Sequence, residues 1–114
     1  MNDDRPVYLR LRDRIAAMIL EGRVGDGDPL PSVRSLAADF GANPLTVAKA
    51  YQTFQEEGLV TVKRGVGMFV APGAADRLRT AERKDFLENR WPRIVSHMRM
   101  LGLDTEDLVE RALA

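Results

Sequence analysis

Cysteine is absent from the chain, which removes disulfides, thiolate metal sites and a cysteine nucleophile together. Histidine occurs once, at His97. A lone imidazole with no thiol to complete a site reads as a core or interface residue near Trp91 and Met98, so no metal and no cofactor are expected. Long apolar runs are missing too, and nothing approaches the roughly 18 residues that a bilayer crossing takes. The start Met1-Asn2-Asp3-Asp4-Arg5-Pro6 carries acids where a secretory leader would be basic, which points to a cytoplasmic protein without a membrane partner. Catalytic teams are lacking as well. Ser32 and Ser35 have no histidine near them in sequence and read as helix-start residues, so no enzyme is expected.

What is present is a composition of 45% hydrophobic and 30% charged residues, that of a folded chain. At 114 residues it holds one ordinary domain, or a small domain with an appendage that borrows stability from a partner. Pro6, Val7, Tyr8, Leu11, Ile15, Met18 and Ile19 follow helical spacing and predict a first helix over residues 6–21. Residues 22–31 hold three glycines, two prolines and two aspartates, the composition of a loop. Ser32 suits an N-cap ahead of the stripe Val33, Leu36, Ala37 and Phe40, and Gly41 ends that helix. Asn43-Pro44 repeats the start signal, and Val47, Ala50, Tyr51 and Phe54 mark one face up to Gly58. Two helices joined only by Gly41-Ala42-Asn43 form a helix-turn-helix unit.

After Gly58 the period becomes strand-like. Leu59 to Val62 and Met68 to Val70 flank Lys63-Arg64-Gly65-Val66-Gly67, a hairpin with a basic tip. Those glycines lack the strand before and helix after that a nucleotide loop needs, so turn geometry explains them. Pro72-Gly73 closes this part. Beyond it Leu78, Ala81, Leu87, Trp91, Ile94, Val95, Met98 and Leu101 trace one face of a long helix, expected to bend at Pro92 and to end at Gly102. Asp104 caps a last helix bearing Leu108, Val109, Ala112 and Leu113. Arg77, Arg79, Arg83 and Lys84 alternate with acids and read as a solvated face. The fold class is therefore α+β: a winged helix-turn-helix domain over residues 1–71, then a short all-α region over residues 72–114.

Net charge is zero, 17 basic against 17 acidic side chains, which at face value speaks against a nucleic-acid binder. The distribution says otherwise. No acid lies between Asp39 and Glu56, while Lys49 lies within that stretch and Arg34, Lys63 and Arg64 lie close outside it. A helix-turn-helix presents the start of its second helix to the base edges of the major groove, here Asn43, Leu45, Thr46 and Lys49. Their amide, hydroxyl and ammonium groups suit bases or phosphates, and Leu45 can meet a thymine methyl. Arg34 can reach a guanine edge or a phosphate. Lys63, Arg64 and Gly65 at the hairpin tip suit minor-groove or flanking phosphate contact.

These residues resemble the N-terminal domain of the GntR family of bacterial regulators through Pro6-Val7-Tyr8, Leu30-Pro31-Ser32-Val33-Arg34, Leu36-Ala37, Thr46-Val47, Ala50-Tyr51, Glu57-Gly58-Leu59 and Arg64-Gly65-Val66-Gly67-Met68-Phe69-Val70. The resemblance implies that Arg34 is the family's DNA-contacting arginine, that Asn43 and Thr46 begin the recognition helix, and that Arg64-Gly65 is the wing-tip pair. Pro44 stands where many members carry an arginine, so base preference does not carry over at that position. The short two-helix tail looks like the YtrA-type subfamily, which implies dimerisation and regulated genes that often encode ABC transporters.

The expectation is a sequence-specific transcription regulator, a repressor, acting as a homodimer on an inverted repeat of double-stranded DNA. Leu87, Trp91, Ile94, Val95, Met98, Leu101 and Leu108 would form the dimer stripe, because two helices alone expose more apolar surface than a monomer usually keeps. A small-molecule effector is left open. The rival class is a winged helix that binds a protein partner, for which the basic tip is incidental.

Overall fold

The computed structural model describes residues 5–113. Met1 to Asp4, whose acids were read against a secretory leader, lie outside the described residues. The elements run α1 (Val7–Leu20), α2 (Val33–Phe40), α3 (Pro44–Glu56), β1 (Val60–Lys63), β2 (Gly67–Val70), α4 (Ala74–Asp85), one π-helical turn (Phe86–Arg90), α5 (Trp91–Met100) and α6 (Thr105–Leu113). The chain divides into two compact units, Met1–Arg79 and Thr80–Ala114.

The first unit is a winged helix-turn-helix. Its start signals act as their chemistry dictates. The Ser32 hydroxyl accepts from the Ser35 amide at 3.0 Å, and the Asn43 carboxamide oxygen accepts from the Leu45 amide at 2.8 Å, with Pro44 in the first turn where no amide is needed. Gly41 ends α2 at φ +58°, a left-handed conformation that a side chain disfavours, so the chain turns at once into α3. The core forms where the predicted stripes meet: Leu11, Ile15 and Ile19 of α1, Leu36 of α2, Val47, Tyr51 and Phe54 of α3, and Val60 and Val70 of the hairpin are all buried.

β1 and β2 pair antiparallel with Val60 opposite Val70 and Lys63 opposite Gly67. Part of the segment read as plain loop adds a third edge. Leu30 donates to the Met68 carbonyl, Gly27 donates to the Val70 carbonyl, and Val70 donates to the Asp28 carbonyl, so β2 is hydrogen-bonded on both sides. Pro29, which has no amide to leave unpaired, fits that edge.

The long C-terminal stripe splits, and the unit boundary falls at Arg79/Thr80 instead of near Pro72. The cause is burial: Ala74 is 0% exposed and Leu78 1%, and both join the core of the winged unit. Arg77 and Arg79 are exposed, in keeping with a solvated face, and their guanidiniums also reach backbone acceptors of that unit. Arg77 donates to the Gly58 carbonyl at 2.6 Å, and Arg79 donates to the carbonyl of Leu20, the last residue of α1. Both acceptors lie at helix ends, where free carbonyls attract cations.

In the second unit the expected interruption at Pro92 takes the form of the π-helical turn immediately ahead of it, with Pro92 inside the first turn of α5. A proline cannot donate within a helix, and a widened turn absorbs the missing bond. Asp85 braces that turn by accepting from the Asn89 side-chain Nδ2 at 2.8 Å and pairing with Arg90 at 3.3 Å. Gly102 ends α5 at φ +70°, and Asp104 caps α6 through the Asp107 amide, as the sequence predicts.

Candidate nucleic-acid interface

The outer surface of the helix-turn-helix is set by two anchors beneath it. The Tyr51 hydroxyl, on the buried side of α3, donates to the Pro31 carbonyl at 2.6 Å. Burial pushes that phenol's ionisation upward, so it remains a hydrogen-bond donor. The contact fixes the backbone just ahead of Ser32, and with it the first turn of α2 where Arg34 stands. Arg34 is exposed, and no hydrogen bond or ion pair among the described residues engages its guanidinium.

Along α3, Asn43, Leu45 and Lys49 are exposed and Thr46 is half-buried. Leu45 is 78% exposed, a large apolar side chain with its own amide locked by the Asn43 cap. The Asn43 oxygen is spent on that cap, which leaves its amide nitrogen for another acceptor. Lys49 lies with its Nζ 5.8 Å from the centre of the Tyr8 ring. Tyr8 in turn shares a 2.8 Å hydrogen bond with the Thr53 hydroxyl, and Thr53 donates to the Lys49 carbonyl at 3.2 Å.

At the hairpin tip, Val66 donates to the Lys63 carbonyl and closes a turn whose third residue, Gly65, sits at φ +75°. That is the position of a type II turn where glycine is favoured. Lys63, Arg64 and Gly65 are all exposed. The Lys63 ammonium rests 4.6 Å from the centre of the Phe69 ring, diagonally across the strands, which aligns its stem with the wing. Recognition-helix start, Arg34 and wing thus belong to one compact unit. The sequence does not mark Tyr8, Thr53 and Phe69 as supports, because Tyr8 and Phe69 fit the apolar patterns of their elements. Only the i, i+4 spacing of Lys49 and Thr53 was a legible hint.

The residues named for dimerisation differ in exposure. Leu87 is 56% exposed, Leu101 61%, Ile94 40% and Trp91 37%. Val95 and Leu108 are half-buried. Met98 departs from the expected stripe: it is 7% exposed, covered by its own chain, and offers little surface to a second copy. Phe86, absent from the expected set, is exposed and tilts against Trp91 with ring centres 6.4 Å apart. His97 borders a shallow open groove of about 420 Å³ with Pro92, Arg93, Ser96 and Met100. Among the described residues no three histidine or acidic side chains cluster as a metal site, and no helix is long and apolar enough to cross a membrane.

The family model for bacterial regulatory proteins of the gntR family matches residues 7–70. Two curated relatives come from Bacillus subtilis. The uncharacterized HTH-type transcriptional regulator YhcF is 33% identical over 93% of this chain and 86% of its own length. The HTH-type transcriptional repressor YtrA is 30% identical over 92% of this chain and 80% of its own. Among solved structures, a GntR family transcriptional regulator from Listeria monocytogenes superposes with a TM-score of 0.77 at 28% identity, covering 98% of this chain and 96% of that one. The DNA-binding domain of AraR in complex with operator ORR3 superposes with a TM-score of 0.58 at 27% identity, covering 62% of this chain and 86% of that one. The chain belongs to the GntR family of bacterial transcriptional regulators, in its YtrA-like group, and its winged helix-turn-helix is a DNA-binding domain of that family.

Proposed function

We propose that this regulator is a sequence-specific repressor that binds an inverted-repeat operator as a homodimer. The observation that carries the reading is the start of α3, where the cap residue Asn43 and Leu45 are exposed and Thr46 is half-buried, with the exposed Lys49 one turn on. A donor-bearing, acid-free helix start on a rigid support is what major-groove reading requires. Arg34 adds a free guanidinium able to fork onto a guanine or a phosphate. Lys63, Arg64 and Gly65 supply flanking backbone contact, with affinity that falls steeply with salt. The AraR domain, of the same fold, is bound to its operator DNA.

The homodimer reading rests on the second unit. Leu87, Trp91, Ile94 and Leu101, joined by Phe86, leave a set of large apolar groups in water. A self-complementary pairing of such faces buries them and gives two recognition helices a two-fold relation, which selects an inverted repeat. Half-sites one helical turn apart, about 10 bp, are the simplest spacing. Repression follows where such a site overlaps a promoter, and YtrA is itself described as a repressor.

The test is selection from a random-sequence duplex pool at moderate salt, repeated with Arg34→Ala. An enriched inverted repeat that the variant no longer selects supports the reading. No enrichment above competitor DNA overturns it in favour of a protein-interaction module.

A further inference from the structure

The contacts around Tyr8 close a circuit between the first turn of α1 and the second and third turns of α3. The Tyr8 ring lies under the Lys49 ammonium at 5.8 Å, its hydroxyl shares 2.8 Å with the Thr53 hydroxyl, and Thr53 donates to the Lys49 carbonyl. A hydrogen bond from a threonine side chain to the carbonyl four residues earlier spends its hydroxyl hydrogen inside the helix. Tyr8 must then be the donor in its own bond with Thr53, which fixes the ring's direction. The ring face is thereby held where it meets the lysine.

We infer that Tyr8 is a positioning residue that holds Lys49 as a phosphate contact on the α1 side of the recognition helix, so that Lys49 does not read bases. This rests on the DNA-binding reading above. An ammonium is a compact charge with three donors. An aromatic face satisfies it from one side and leaves donors for phosphate oxygens on the other. The ring draws the lysine toward α1, away from the Asn43, Leu45 and Thr46 end of α3. Ordering a long flexible stem before binding removes part of the entropy cost of the contact.

Affinity of the full chain is measured over a salt series for a duplex recovered by selection and for an unrelated duplex of the same length. Lys49→Met is expected to weaken both by a similar factor and to lower the salt slope by about 0.9, one phosphate's worth. Tyr8→Leu is expected to cost about two- to fivefold, the scale of an exposed cation–π contact, and to add nothing when Lys49→Met is already present. Tyr8→Phe, which keeps the ring but releases it from Thr53, retains the wild-type slope and costs less than Tyr8→Leu. A Lys49→Met protein that changes its preferred sequence overturns the inference, as does a Tyr8→Leu effect undiminished in the Lys49→Met background. Should Tyr8→Leu fail to fold, the other two variants still decide, because a Tyr8→Phe slope matching that of Lys49→Met assigns the contact to the hydroxyl. A wild-type chain that retains neither duplex overturns the parent reading, whereas a chain that binds normally with unaltered Lys49→Met salt slope overturns this one alone.

Discussion

The Tyr51 hydroxyl and the Pro31 carbonyl oxygen, 20 residues apart in sequence, stand 2.6 Å apart, and their hydrogen bond ties the middle of α3 to the backbone that launches α2. Tyr51→Phe keeps the ring's packing and leaves that carbonyl without its partner. It should cost about 1–2 kcal/mol of folding stability, read from denaturant unfolding. Burial of the phenol also has a pH signature. Burial raises the folded phenol's ionisation above its ordinary value of 10.0, so the unfolded chain gives up its proton first as pH rises. The stabilisation is fully present below pH 10.0 and is lost progressively above it. Stability of the wild type should therefore fall more steeply than that of Tyr51→Phe in alkaline titration, and parallel curves would remove burial as the cause.

Arg34 and Lys63 should separate by the kind of loss each produces. The Arg34 guanidinium is free at the start of α2, so Arg34→Ala should cost about 1–3 kcal/mol at a selected site and relax preference at one base position. Lys63→Ala, at a wing tip, should weaken all duplexes alike and lower the salt slope by about 0.9. Competition binding against single-base variants of the site checks both, and equal losses across every variant for Arg34→Ala would reassign it to the backbone.

The winged unit was legible in sequence because its signals are local. Ser32, Gly41, Asn43-Pro44 and Gly65 each dictate one cap or turn by their own chemistry, and the stripes between them leave one way to close a core. The tail is less legible because one apolar spacing there serves two purposes. Leu78 shares a helical spacing with Leu87 and Trp91, yet it completes the first core while they remain exposed. Periodicity reports that a face is apolar and not what covers it. The Tyr8–Lys49 and Arg77–Gly58 contacts escaped for a related reason: each joins a side chain to a partner fixed only by the tertiary fold.

Leu45 offers a test at the level of one methyl group. Its side chain is 78% exposed at the start of α3, with its amide fixed by Asn43. An apolar group in that place matches the thymine 5-methyl in the major groove. Replacing thymines of a selected site by uracil, one at a time, deletes only that methyl. One or two positions should each lose about 0.8 kcal/mol, the value of one buried carbon, and Leu45→Ala should abolish the difference. Equal sensitivity to uracil in wild type and variant would show that the methyl is read elsewhere.

The dimer surface can be separated from the chain's own packing by contrasting Trp91 with Met98. Trp91 is 37% exposed beside Phe86, whereas Met98 is 7% exposed. Substituting Trp91 and Leu87 together by polar residues removes apolar surface that a second copy would cover, and because both side chains are partly in water the folded chain should lose less stability than the pairing does. Light scattering should then give the single-chain mass of 12.7 kDa in place of twice that value. Met98→Ala instead leaves a cavity, and should lower stability by about 2 kcal/mol or more before it alters mass at high concentration. The Trp91/Leu87 variant should also bind an isolated half-site as the wild type does, while losing the added affinity of the complete inverted repeat, because only linkage of two readers supplies that gain. A variant that stays at twice the chain mass would move the interface away from this face.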